Sequence, residues 1–128
     1  MPAPVVPLIE AVRYFPSRGA LIGLDLGTKT IGIAASDPDR RLATGVETVR
    51  RKAFKTDAAR LLAIAAERAA VGFVLGLPIN MDGSEGPRAQ STRAFARNLA
   101  RRAEIVDEHA AIFILQGALD RLANLQRG

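Results

Sequence analysis

The sequence contains no cysteine and no tryptophan, and its 128 residues include only one tyrosine and one histidine. Without cysteine, disulfide staples and thiolate metal sites are excluded, and a reducing compartment is compatible. Five phenylalanines and one tyrosine are too few for a base-stacking platform. The lone His109 has no second histidine and no Ser or Cys nucleophile motif to work with, which favours a polar surface or packing role over catalysis. No apolar run approaches the length of a membrane span. The apolar patch Val5-Val6 is broken by Pro7 and follows no basic region, so residues 1–17 do not read as a signal peptide. Cytoplasmic residence is the expectation.

Apolar residues make up 48% of the chain, enough for one globular domain with a modest core. The net charge of +5, from 18 Lys plus Arg against 13 Asp plus Glu, suits a polyanionic partner such as nucleic acid. Pro2, Pro4, Pro7 and Pro16 mark residues 1–18 as an extended lead, with one short helical turn around Ile9–Tyr14. The remainder, 19–126, reads as a single domain. Strands are predicted at Ala20–Asp25, Ile31–Ser36 and Ala43–Val49, joined by short connections as an antiparallel meander. A helix over Lys55–Ala69 leads to Val71–Leu77, a nearly continuous apolar run that reads as a buried parallel strand. A polar loop, Ile79–Pro87, precedes a helix over about Arg88–Arg101, and Ala103–Gln126 also shows helical spacing. No Pro or Gly separates these last two helices, and fused they would form a rod of about 57 Å at 1.5 Å per residue. A break or missing residues near Arg101–Ala103 is therefore expected.

Asp25 is the residue that most needs explaining. It lies between the apolar runs Ala20-Leu21-Ile22 and Ile31-Gly32-Ile33, in the turn Asp25-Leu26-Gly27-Thr28. An acid buried in an apolar strand is costly unless it meets a cation or hydrogen-bond donors. One explanation is a carboxylate holding Mg²⁺ or Mn²⁺, with Gly27 letting turn amides approach an anion and Lys29 touching phosphate. The other is a strand-end acid satisfied by turn amides. Asp107 raises the same choice, between an acid on a packing face and a helix-start acid favoured by the dipole. Arg93, Arg97 and Arg101 recur every four residues along one helix face, and Arg50, Arg51, Lys52 and Lys55 form a second basic cluster. Both can track a phosphate backbone, or serve as ordinary solvated surface. In the loop, Asp82 and Glu85 add charge to a site or cap a turn.

Three ordered stretches, from Gly23-Leu24-Asp25-Leu26-Gly27-Thr28-Lys29-Thr30 to Pro38, from Gly76-Leu77-Pro78-Ile79-Asn80-Met81-Asp82-Gly83 to Pro87, and from Asp107-Glu108-His109-Ala110-Ala111 to Gln116, closely resemble the YqgF (RuvX) family. That family is described in terms of Holliday junction resolution and pre-16S rRNA cleavage. The resemblance implies an α/β, ribonuclease H-like fold: a mixed five-stranded sheet, its first three strands antiparallel, flanked by helices. It also implies a divalent-metal nuclease with two Mg²⁺ or Mn²⁺ ions, with Asp25 as the first-strand acid and Asp107 as the last-helix acid. Precursor ribosomal RNA, with processing of the 16S 5′ end, is the implied substrate; branched DNA, or RNA binding without cleavage, is the alternative. Symmetric junction cleavage would call for a homodimer. The family's remaining acid, a Glu in a Trp-Asp-Glu-Arg-type segment on the fifth strand, has no counterpart. The fifth strand is thus expected to be unrepresented, and a segment missing near 101–103. An actin-like ATPase, which uses a similar Asp-Leu-Gly-Thr turn, is set aside because such proteins need two domains of this kind.

Overall fold

The structure, a computed structural model, describes residues 5–7, 18–106 and 111–116. Its elements in chain order are β1 (Val5–Pro7), β2 (Ala20–Leu26), β3 (Thr30–Ser36), β4 (Ala43–Arg50), α1 (Phe54–Glu67), β5 (Ala70–Leu77), α2 (Pro87–Val106) and β6 (Ala111–Gln116). The strands form one sheet in the order β1-β6-β5-β2-β3-β4. β2, β3 and β4 pair antiparallel as the expected meander, whereas β5 joins β2, and β6 joins β5, in parallel.

Each local choice follows from the residues. Asp37 starts the β3–β4 turn by accepting the Arg41 and Leu42 amides, each at 2.9 Å. These bonds, the Leu42 amide foremost, hold its carboxyl below the usual aspartate range. Helix α1 carries Ala58, Leu61 and Ile64 on its buried side. Helix α2 buries Phe95, Ala96, Leu99 and Ala100. Both helices cover one face of the sheet, packing on Ile22, Leu24, Leu26, Ile31, Ile33, Phe73, Leu75 and Leu77. A bulge in β4 sets the side-chain parity there. Ile33 pairs with Glu47 and Ala34 with Gly45, which leaves Val46 as the extra residue.

Two expectations are corrected. Of the two alternatives at Arg101–Ala103, the break in the helix is the one corrected: α2 runs through these residues and ends at Val106. The chain then forms strand β6 at Ala111–Gln116, where helix was expected across Ala103–Gln126. A short run such as Ala-Ile-Phe-Ile-Leu suits a buried helix or a parallel strand equally, and periodicity does not separate them. The open edge of β5 decides, because its backbone groups need a partner. The slot beside β5, expected to be unrepresented, is therefore filled by residues 111–116. The predicted turn at Ile9–Tyr14 lies outside the described residues.

Candidate functional site

Asp25 is exposed, contrary to its expected burial. The reason is the period of a strand. Ile22, Leu24 and Leu26 point to the helices, so Asp25 points to the opposite face. Its surroundings there are sparse. Gly32 is its partner on β3, and Thr48 on β4 is the partner of Gly32. On the other side, Gly76 follows Leu75, the partner of Leu24. Asp25 thus has a glycine as neighbour on each side. It lines a shallow, open depression of about 450 Å³, together with Gly32, Ile33 and Ala34 of β3 and Gly45, Val46, Glu47 and Thr48 of β4.

The turn after Asp25 is closed tightly. The Gly27 amide donates to the Thr30 carbonyl at 2.8 Å, and a Cβ on Gly27 would lie 3.1 Å from that oxygen. Arg51 donates its backbone N–H to Lys29 O at 2.8 Å and its side-chain Nη1 to Gly27 O at 2.7 Å. Arg88 Nη2 donates to Leu26 O at 3.3 Å. Arg50 pairs with Thr30, so Lys29, Arg50, Arg51 and Lys52 gather at the same end of the sheet as the turn. Lys29, Arg50 and Lys52 are exposed there and form no ion pair among the described residues.

The other candidates are placed differently. Arg93 is committed to Glu85, with Nε–Oε1 at 2.7 Å and Nη2–Oε2 at 2.9 Å. This pairing holds the Glu85 carboxyl below its ordinary range and raises the guanidinium. Asp82 accepts the Ser84 hydroxyl at 2.6 Å and the Ser84 amide at 2.9 Å, bonds that lower its pKa. Both loop acids therefore fasten the loop rather than point free charge at the Asp25 turn. Arg97 and Arg101 are exposed on α2, which covers the face opposite Asp25. At 1.5 Å per residue Arg101 lies roughly 20 Å along the axis from Arg88. The stripe therefore leads away from the turn. Asp107 and His109 lie outside the described residues.

Three contributors were not singled out from the sequence. Thr48 lines the depression, and its alternation along β4 is the only signal it gives. Arg88 reaches back 62 residues to β2, a link no local pattern reveals. Asp57 is buried, and both its carboxylate oxygens face the Lys52 amide at 3.3 Å. Its spacing with Leu61 and Ile64 on the apolar side of α1 was a legible clue.

Asp25 is open to solvent and fits as one oxygen ligand of a hard divalent cation. Glu47, the nearest acid on β4, is taken up by Arg60 at 2.9 and 2.7 Å, which lowers its pKa. Among the described residues no three His, Cys, Asp or Glu side chains converge on a metal position. Nor is any helix among them long and apolar enough to cross a membrane.

The core order β4-β3-β2-β5-β6, with an acid on the first long strand facing away from the helices, defines a ribonuclease H-like domain. A solved structure described as Thermus thermophilus RuvC in complex with Holliday junction substrate shares the fold. Its TM-score is 0.55 at 11% identity, covering 77% of this chain and 64% of that one. The sequence model described as "RuvX: Holliday junction resolvase" matches residues 19–105, and the chain belongs to that family. A protein of Bradyrhizobium sp. strain BTAi1, named "Putative pre-16S rRNA nuclease", is 66% identical over 158 positions, covering 99% of this chain and 98% of that protein. One of the same name from Bradyrhizobium diazoefficiens is 65% identical over 159 positions, covering all of this chain and 99% of its own length. An alignment of 158 positions against a chain of 128 residues leaves at least 30 positions where the relative has residues and this chain has none.

Proposed function

We propose that this protein is a nuclease that hydrolyses phosphodiester bonds in structured nucleic acid, with the 5′ end of precursor 16S rRNA as its substrate in the cytoplasm. The observation that carries this reading is the placement of Asp25. A solvent-open carboxylate stands on a glycine-floored depression, at the end of the sheet where Lys29, Arg50 and Lys52 are uncommitted. The names of the relatives supply the substrate. In this reading the lysines and arginine neutralise backbone phosphates and set the position of the strand without reading its sequence. Asp25 holds Mg²⁺ or Mn²⁺ as a pair with Asp107. Bound divalent ions supply Lewis-acid stabilisation of the scissile phosphate and lower the pKa of water.

The positions absent from this chain favour a second reading, RNA binding without cleavage. We infer that they fall near 101–103 and include the fifth-strand acid. Branched DNA is the alternative substrate, supported by the description of the family, and its symmetric cleavage would require a homodimer.

The deciding experiment incubates wild type and Asp25→Asn with precursor 16S rRNA and with a four-way DNA junction, each with and without Mn²⁺. Expected is Mn²⁺-dependent cleavage of the RNA, lost in Asp25→Asn at unchanged Tm, because an exposed side chain contributes within about 0.5 kcal/mol. Undiminished cleavage by Asp25→Asn overturns the assignment. Salt-sensitive RNA binding with no cleavage by wild type establishes the second reading.

A further inference from the structure

The two peptide carbonyls that follow Asp25 are each capped by a guanidinium from a distant part of the chain. Arg88, at the start of α2, donates to Leu26 O at 3.3 Å, and Arg51, between β4 and α1, donates to Gly27 O at 2.7 Å. Arg51 does more than its neighbour. Its own amide closes onto Lys29 O at 2.8 Å, so one residue ties both ends of the 27–29 turn. Its guanidinium also lies over the Phe95 ring, 5.6 Å from the centroid. That ring stacks edge-on against Phe54 at 5.3 Å and 85°. Behind it, the buried Asp57 carboxylate holds the Lys52 amide, fixing the backbone on which Arg51 is carried.

A cation reaching out to a phosphate would be exposed and uncommitted, as Lys29, Arg50 and Lys52 are. Arg51 is half-buried, bonded and stacked. We propose that Arg51 is a positioning residue: it fixes the Asp25–Gly27 turn, and with it the direction of the Asp25 carboxylate, and does not contact nucleic acid. Its link to catalysis rests on the reading of Asp25 as the reacting-site acid, whereas its link to the turn stands on the geometry alone. A planar fork that both stacks on a ring and donates in line is a property of arginine, and lysine does not reproduce it.

That distinction supplies the test. Arg51→Lys and Arg51→Ala are compared with wild type in three measurements: amide hydrogen exchange at Gly27, the salt dependence of binding to precursor 16S rRNA, and kcat and KM for its cleavage. Expected in both variants is exchange at Gly27 faster by about tenfold, an unchanged salt slope, and kcat lower by about tenfold at constant KM. A wild-type-like Arg51→Lys, together with an Arg51→Ala whose salt slope drops by about one and whose KM rises, marks a phosphate contact and overturns the proposal. Unchanged exchange at Gly27 in both variants also overturns it. If Asp25→Asn still cleaves while the Arg51 variants loosen the turn, the reading of Asp25 fails and the positioning of the turn stands.

Discussion

Substitution of Gly32 separates folding from function at a single atom. Gly32 lies within β3, opposite Asp25 and beside Thr48, on the floor of the depression. A Cβ placed there would meet the Asp25 Cβ at 3.6 Å, an ordinary van der Waals contact, and its backbone is that of a regular strand. Alanine therefore adds no strain and removes conformational freedom from the unfolded chain, which stabilises by about 0.4–1 kcal/mol. For a chain of this length that corresponds to a rise in Tm of roughly 2–4 °C. The same methyl group takes up the space on one side of the Asp25 carboxylate. Cleavage is expected to fall about tenfold, equivalent to ~1.4 kcal/mol in the barrier. Thermal melting and single-turnover cleavage of Gly32→Ala, measured side by side with wild type, check both halves. A lowered Tm would show that the contact is not the benign one its distance implies. A raised Tm with wild-type cleavage would refute the role given to the depression.

Leu99→Ala empties a fully buried position between α2 and the sheet. It should cost about 3 kcal/mol, seen as a fall in Tm of roughly 10 °C, with kcat unchanged at temperatures where the protein stays folded. Glu47→Gln removes the pairing with Arg60, which lowers the Glu47 pKa in the folded state. A depressed carboxylate pKa contributes stability above the unfolded value and loses it as pH falls through the folded value. The stability difference between Glu47→Gln and wild type should therefore be present at pH 7, shrink below about pH 4.5 and vanish in stronger acid; thermal melts across that range report it.

The elements that declare a period were legible from residues alone. β2 to β5 and α1 show it, because alternation, glycine turns and an alanine-rich amphipathic stretch each have one local cause. Asp25 was identified for a reason the structure reverses: Leu24-Asp25-Leu26 already alternates, and alternation turns the acid away from the helices rather than into them. The segment 111–116 was misjudged because its apolar content fits two structures, and only the unpaired edge of β5 chooses between them. Arg88 and Arg51 are not legible as parts of the turn because their acceptors are carbonyls 62 and 24 residues away in sequence. Which of the arginines are free, and which are spent on Glu85 or on the turn, is a tertiary property that charge counting does not contain.

The bulge in β4 has a bearing on which insertions and deletions this chain tolerates. It allows Val46 and Glu47, adjacent in sequence, both to face the helices, and so restores Thr48 to the open side. Loss of the extra residue, Val46, would turn the bulge into a regular ladder: Glu47 would still stand opposite Ile33 and Thr48 opposite Gly32, so the open side would keep its side chains. Loss of a residue beyond the bulge, at Thr48, would instead put Val49 opposite Gly32 on the open side and turn Arg50 toward the helices. The bulge is thus a place in β4 where a residue can be lost without reversing which side chains face the open side, and length variation within β4 should fall there rather than beyond it.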